Sequence, residues 1–207
     1  KGIWVAKKRY ILNAHDVEGV RYKEPKLKIM GVEAVKSSTP AACREKIKEA
    51  LTIIMTKDNQ ELNSFIQDFR KDFMDLKPEL IAYPRSVNGL NKWTESHNLF
   101  KKGAPIHCKG AILYNHLLQD KKLQGKYPYI QEGDKIKFLH MKTPNVYQST
   151  SISFMTKLPN ELNLHNFIDY DMQFEKSFVE PLKFITNIIK WQIDDSYGTQ
   201  GTLEGFF

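Results

Sequence analysis

Lys7-Lys8-Arg9-Tyr10 sets three cations and a phenol in four consecutive positions, a combination suited to holding a polyanion rather than to making bonds. At the start of a strand, alternation sends Lys8 and Tyr10 to one face and Lys7 and Arg9 to the other. A flexible cation and an aromatic hydroxyl then reach toward a duplex groove while their neighbours meet phosphates. Minor-groove acceptors are common to all base pairs, so Lys or Tyr placed there checks base-pair shape without reading sequence. By composition alone, a short basic run is equally a solvated face. At the other end, Leu203, Phe206 and Phe207 stand at i, i+3 and i+4, with Gln200 one turn earlier. A single helical turn gathers the three apolar side chains into a plug with a polar anchor. Gly198, Gly201 and Gly205 make the stretch a poor helix former, so the turn is expected to form on contact with another protein. The competing reading folds the two terminal aromatics back onto the chain's own core.

Groups for covalent chemistry are harder to find. Asp169-Tyr170-Asp171 has the outline of an Asp-x-Asp metal motif, but it stands at the expected start of a helix, where acids complement the dipole, and no strand signal brackets it. Asp194-Asp195 reads as solvated charge. His107 beside Cys108 lacks the partner pair that a tetrahedral site requires. Cys43 and Cys108 are far apart, as expected of reduced thiols in a cytosolic setting. No phosphate-binding Gly-rich loop and no activated nucleophile set is present.

The 207 residues carry a formal net charge of +7. Residues 1–40 hold nine Lys and Arg against four Asp and Glu, and residues 77–126 hold nine against three, with a near-neutral block between them. Two basic blocks suggest two surfaces converging on a polyanion, because counterion release favours clustered cations. No apolar run approaches the length of a membrane span, and the start is neither a signal peptide nor an initiator methionine. The chain reads as the C-terminal piece of something longer.

The elements that must position these residues follow from pattern. Ile3–Ala6, Tyr10–Ala14, Val20–Tyr22 and Lys26–Met30 read as strands of a small twisted sheet, with a turn at residues 16–19. Thr39-Pro40 supplies an N-cap and first-turn proline for a helix with Ile47, Ala50, Leu51 and Ile54 inward. Asp58 and Glu61 predict a capping box for a second helix carrying Leu62, Phe65, Ile66, Phe69, Phe73 and Leu76, and the two helices form a hairpin. From Glu79 to Lys109 periodicity disappears, predicting a long basic loop. A short helix at 111–118 precedes a second β element, with Ile136, Phe138 and Met141 on one face and Ile152–Met155 as partner. A last helix spans about Tyr170 to Ile189, with Phe174, Phe178, Ile185 and Ile188 inward and a kink or break at Pro181. The fold class is α+β.

Residues 7–13, then Glu24-Pro25-Lys26-Leu27-Lys28-Ile29-Met30-Gly31-Val32-Glu33, then Lys36-Ser37-Ser38-Thr39-Pro40 resemble, in order and spacing, the late palm and palm-to-thumb junction of family B replicative DNA polymerases of T-even-like bacteriophages. Lys101-Lys102, His107-Cys108-Lys109-Gly110 and Ile112-Leu113-Tyr114-Asn115 resemble the family's thumb, and residues 175–182 its last helix, although the loop before His107 departs from the family in length and composition. The tail resembles the box that binds a sliding clamp. The resemblance implies the end of the palm at 1–38, the thumb at 39–195 and a flexible clamp-interacting tail at 196–207. It implies duplex contacts from Lys7, Lys8, Arg9 and Tyr10, and phosphate contacts from Lys36, Ser37, Ser38 and Thr39, helped by amides at the helix start. Lys92, Trp93, Lys101, Lys102, His107 and Lys109 are thumb candidates; Trp93 reads equally as a loop anchor and His107 as a structural histidine. Gln200, Leu203, Phe206 and Phe207 would bind the clamp. The implied partners are primer-template DNA, the clamp and the remainder of the polymerase (palm, fingers and exonuclease domain), with no membrane, for a viral protein in the cytoplasm of its host. The carboxylates that hold Mg2+ in the family lie upstream of the Lys-Lys-Arg-Tyr motif, so no cofactor is expected in this chain and the isolated piece is expected to be inactive. A standalone DNA-binding replication or repair accessory protein with a clamp box is the alternative.

Overall fold

In the computed structural model, which describes residues 2–95 and 98–194, the N-terminal alternation forms a sheet of β1 (Gly2–Ala6), β2 (Arg9–Val17) and β3 (Val20–Met30), antiparallel and in that order. Ile3 pairs with Ile11, and both are buried, which sets one face of the sheet inward. The β2–β3 turn uses Glu18 and Gly19, both at positive φ (55° and 82°), the twist that two-residue hairpins favour. Asp16 Oδ1 accepts from the Gly19 N–H at 3.1 Å. The ladder is interrupted between Ala14 and Asp16, and Pro25, which has no N–H to give, falls in the gap. One strand therefore spans what the sequence divides into two.

This sheet belongs to a unit formed by Lys1–Asp75 and Phe174–Phe207. Helix α1 (Ala41–Thr56) buries Cys43, Ile47, Ala50, Leu51, Ile54 and Met55; α2 (Asn59–Met74) buries Leu62, Ile66, Phe69 and Phe73. Asp58 caps α2 by accepting from the Glu61 N–H at 2.9 Å, while Glu61 pairs with Lys57. The start of α1 differs from expectation: Pro40 is the N-cap residue and no side chain caps the helix. Thr39, 5% exposed, is buried instead.

Helical conformation runs from α6 (Tyr170–Phe174) through a π-type turn (Glu175–Val179) into α7 (Glu180–Thr186). The wide turn immediately precedes Pro181, whose ring and missing N–H do not fit a regular interior turn. Phe174 and Phe178 pack with Phe69 and Phe73, ring centroids 4.7–5.8 Å apart, and Cys43 Sγ lies 3.2 Å from Ser177 Oγ. The end comes earlier than periodicity predicts. Lys190 at φ 58° and a bond from the Trp191 N–H to the Thr186 carbonyl close it, leaving Ile188 45% exposed rather than inward.

The second unit is Leu76–Gln173. The stretch expected to be a long loop contains α3 (Pro78–Ile81), β4 (Tyr83–Ser86), α4 (Leu90–Trp93) and the start of α5 (Ile106–Asp120). Four-residue elements are too short to show a period, and Pro84 suits an edge strand. β4 pairs with the central β5 (Lys135–His140), which pairs with β6 (Ser151–Phe154). Helix α5 lies on β6, where Ser151 and Ser153 donate to the Ile106 and His107 carbonyls at 2.6 and 2.8 Å. These buried hydroxyls are satisfied, and they dock the first turn of α5 on the sheet.

Candidate nucleic-acid interface

Ala6 pairs with Arg9, so Lys7 and Lys8 are the two residues of a tight turn between β1 and β2 rather than strand positions. Strand alternation therefore does not sort them; both are exposed at the sheet's end, Lys8 at φ 61°. Alternation does separate Arg9 from Tyr10. Tyr10 pairs with Trp4 across the strands, ring centroids 5.0 Å apart, on the face opposite Ile3 and Ile11. Trp4 is 65% exposed beside the lysine turn, a neighbour that single-strand reasoning missed and hairpin register would have found.

Arg9 points the other way. Its Nη2 donates to both Glu33 oxygens at 2.9 Å and its guanidinium lies 5.2 Å from the Phe184 ring centroid. Lys36 Nζ also donates to Glu33, at 2.8 Å. Burial pushes the Glu33 carboxyl up, but the Lys36 hydrogen bond, a backbone hydrogen bond and the charges of Arg9 and Lys36 outweigh it and hold the group below the usual carboxylate range. Two of the expected phosphate binders thus share one carboxylate. Ser37 and Ser38 are exposed in the following turn, while Thr39 is covered.

In the second unit, Thr94 and Phe100 form an antiparallel bridge and the Lys101 N–H donates to the Trp93 carbonyl, bringing Lys101 beside Trp93. Lys92 Nζ sits 4.8 Å from the Trp93 ring centroid. Glu132 accepts from the N–H groups of Gly89 and Leu90, fixing the start of α4. Lys101, Lys102 and Lys109 line an open cleft of ≈ 550 Å³ with Phe100, Tyr147 and Gln148; Lys109 Nζ lies 5.5 Å from the Phe100 centroid. Phe100 and Tyr147 are aromatic walls that charge counting overlooks. His107 is half-buried near Phe138, and burial, then the charge of Arg85, holds its pKa below the usual histidine value. A neutral imidazole there can donate a hydrogen bond but adds no cation at neutral pH.

Gln200, Leu203, Phe206 and Phe207 lie outside the described residues. Asp169 accepts from the Met172 N–H at 2.9 Å, the bond of a helix N-cap. Among the described residues no three His, Cys, Asp or Glu side chains gather into a group that could hold a metal ion. No helix of the described residues is long and apolar enough to cross a membrane.

No family model matches the chain. It is 33% identical over 185 residues to the DNA-directed DNA polymerase of Enterobacteria phage T4, covering 87% of this chain and 20% of that protein. It is 34% identical over 194 residues to the DNA-directed DNA polymerase of Escherichia phage RB69, covering 91% of this chain and 21% of that protein. The chain spans about one fifth of the length of these curated relatives. Over nearly its whole length, then, it matches a fragment of the DNA-directed DNA polymerases of these phages.

Proposed function

We propose that this chain is the duplex-holding portion of a phage replicative DNA polymerase, with the end of the palm at 1–38, the thumb at 39–195 and a clamp-interacting tail at 196–207. The observation that carries the reading is the exposed Lys7-Lys8 turn beside the Tyr10–Trp4 pair, in a chain similar to phage polymerases over 87% and 91% of its length. The two lysines meet the backbone and the phenol enters the minor groove, where a mispair displaces the acceptors. Lys36, Ser37 and Ser38 add phosphate contacts, and the cleft of Lys101, Lys102 and Lys109 supplies a second hold. Gln200, Leu203, Phe206 and Phe207 moor the enzyme to the sliding clamp, and this second attachment raises effective concentration and turns a salt-sensitive grip into processive synthesis.

Two measurements test the reading. Duplex affinity should fall with salt at a log-log slope of about −4 to −7 if roughly five to eight phosphates are neutralised; a slope near zero would falsify the grip. The chain alone should not extend a primer in Mg2+, because the carboxylates for that step belong to the remainder of the polymerase, whereas extension by the purified chain would move the chemistry into these residues.

A further inference from the structure

The lysine turn has a backbone partner. Lys8 holds φ 61°, a left-handed conformation uncommon for a residue with a side chain. Its carbonyl oxygen lies over Gly31, itself at φ 63°, where an added Cβ would stand 2.4 Å from that oxygen and 3.1 Å from Arg9 Cγ. Only glycine permits this approach and this backbone together. Gly31 follows Met30, the ladder partner of Tyr10, and Arg9 is pinned by Glu33, so the residues flanking Lys8 are tied to the segment that runs from β3 to Glu33. A turn held in this way presents its side chains in a fixed direction. A loose one would pay the ordering entropy at the moment of binding.

We propose that Gly31 is a positioning residue for duplex binding: by admitting the Lys8 carbonyl, it locks the β1–β2 turn in the conformation that aims Lys8 at the nucleic-acid backbone. The proposal rests on the reading of that turn as a DNA contact.

The full chain is titrated with a fluorescent blunt duplex, following anisotropy, in wild type, Gly31→Ala, Lys8→Ala and the double variant, with melting temperatures recorded. Gly19→Ala is the control, because Gly19 has φ 82° but nothing within 4 Å of an added Cβ, so it shares the backbone penalty without the clash. A second route to the same loosening inserts one glycine between Lys7 and Lys8, at an exposed turn that tolerates additions. Gly31→Ala and the insertion should each weaken binding roughly fivefold, while the loss in Gly19→Ala stays within about twofold. Each should also lower the salt slope by about 0.9, the loss of one phosphate contact. Neither should weaken binding further in the Lys8→Ala background. If Lys8→Ala binds as tightly as wild type, the turn does not touch the duplex, and both the DNA reading and the positioning role are lost. If Lys8→Ala weakens binding but Gly31→Ala and the insertion do not, or their losses add in full to that of Lys8→Ala, the positioning role alone is overturned. Should Gly31→Ala fail to fold, the insertion decides by the same comparisons.

Discussion

At the level of single residues, charge does two different jobs in this chain. Lys7 and Lys8 stand exposed at a turn, whereas Arg9, next in sequence, faces the other side of the sheet and is spent on Glu33 and Phe184. Glu33 is the center of that arrangement. Its folded pKa lies below its unfolded value, so ionisation favours the folded state. The stabilisation is complete above the ordinary glutamate value and is lost as pH falls through the lowered folded value. Glu33→Gln should therefore lower the melting temperature at neutral pH, and the gap from wild type should close on acidification into that range. Thermal unfolding across a pH series checks this, and a gap that stays constant down to strong acid would detach Glu33 from Arg9 and Lys36. The thiols carry no comparable switch: burial, only partly offset by the Ser177 hydrogen bond, pushes Cys43 up to about 12, and Cys108 is also raised, by burial first. Both are buried, and raised pKa values disfavour the reactive thiolate.

Among the elements, α5 and β6 pack closely. An added Cβ at Gly110 would stand 2.6 Å from Ser153 Oγ and 2.7 Å from both the Ile152 carbonyl carbon and the Ser153 nitrogen, so much of the obstacle is backbone that cannot rotate away. Gly110→Ala should destabilise the protein by about 1–3 kcal/mol, the usual cost of overpacking, outweighing alanine's better helix propensity. Denaturant unfolding measures it; a neutral or stabilising result would mean that α5 rides farther from the sheet. How legible an element was in the sequence follows its length. The 16-residue helices α1 and α2 show their apolar stripes plainly, and Asp58 marks where α2 starts. β4 and α4, four residues each, are held by pairing with β5 and by Glu132, partners distant in sequence that no local pattern encodes. The lysine turn shows the same limit. Its composition fits a nucleic-acid contact and a solvated face equally, and strand alternation is the wrong rule for two residues that the Ala6–Arg9 pairing places in a turn.

For the whole molecule, the basic residues of the two compact units can be tested for work on one duplex. Each unit contains exposed lysines, Lys7 and Lys8 in one and Lys101 and Lys102 in the other. If both hold one duplex, the phosphate contacts add on a single ligand. Lys7→Ala with Lys8→Ala, and Lys101→Ala with Lys102→Ala, should then each lower the salt slope by about 1.8, and the quadruple variant by about 3.6. Stoichiometry supplies the second readout. Titration with a duplex long enough to meet both units should saturate at one duplex per chain in wild type and in both double variants, with affinity falling in each. Independent grips would behave differently. The wild type would bind two duplexes, each double variant would lose one of them, and the slope of the surviving site would be unchanged. That second pattern would leave the lysines as DNA contacts but remove the shared grip, because chelation of one ligand by two linked surfaces is what makes their affinities multiply.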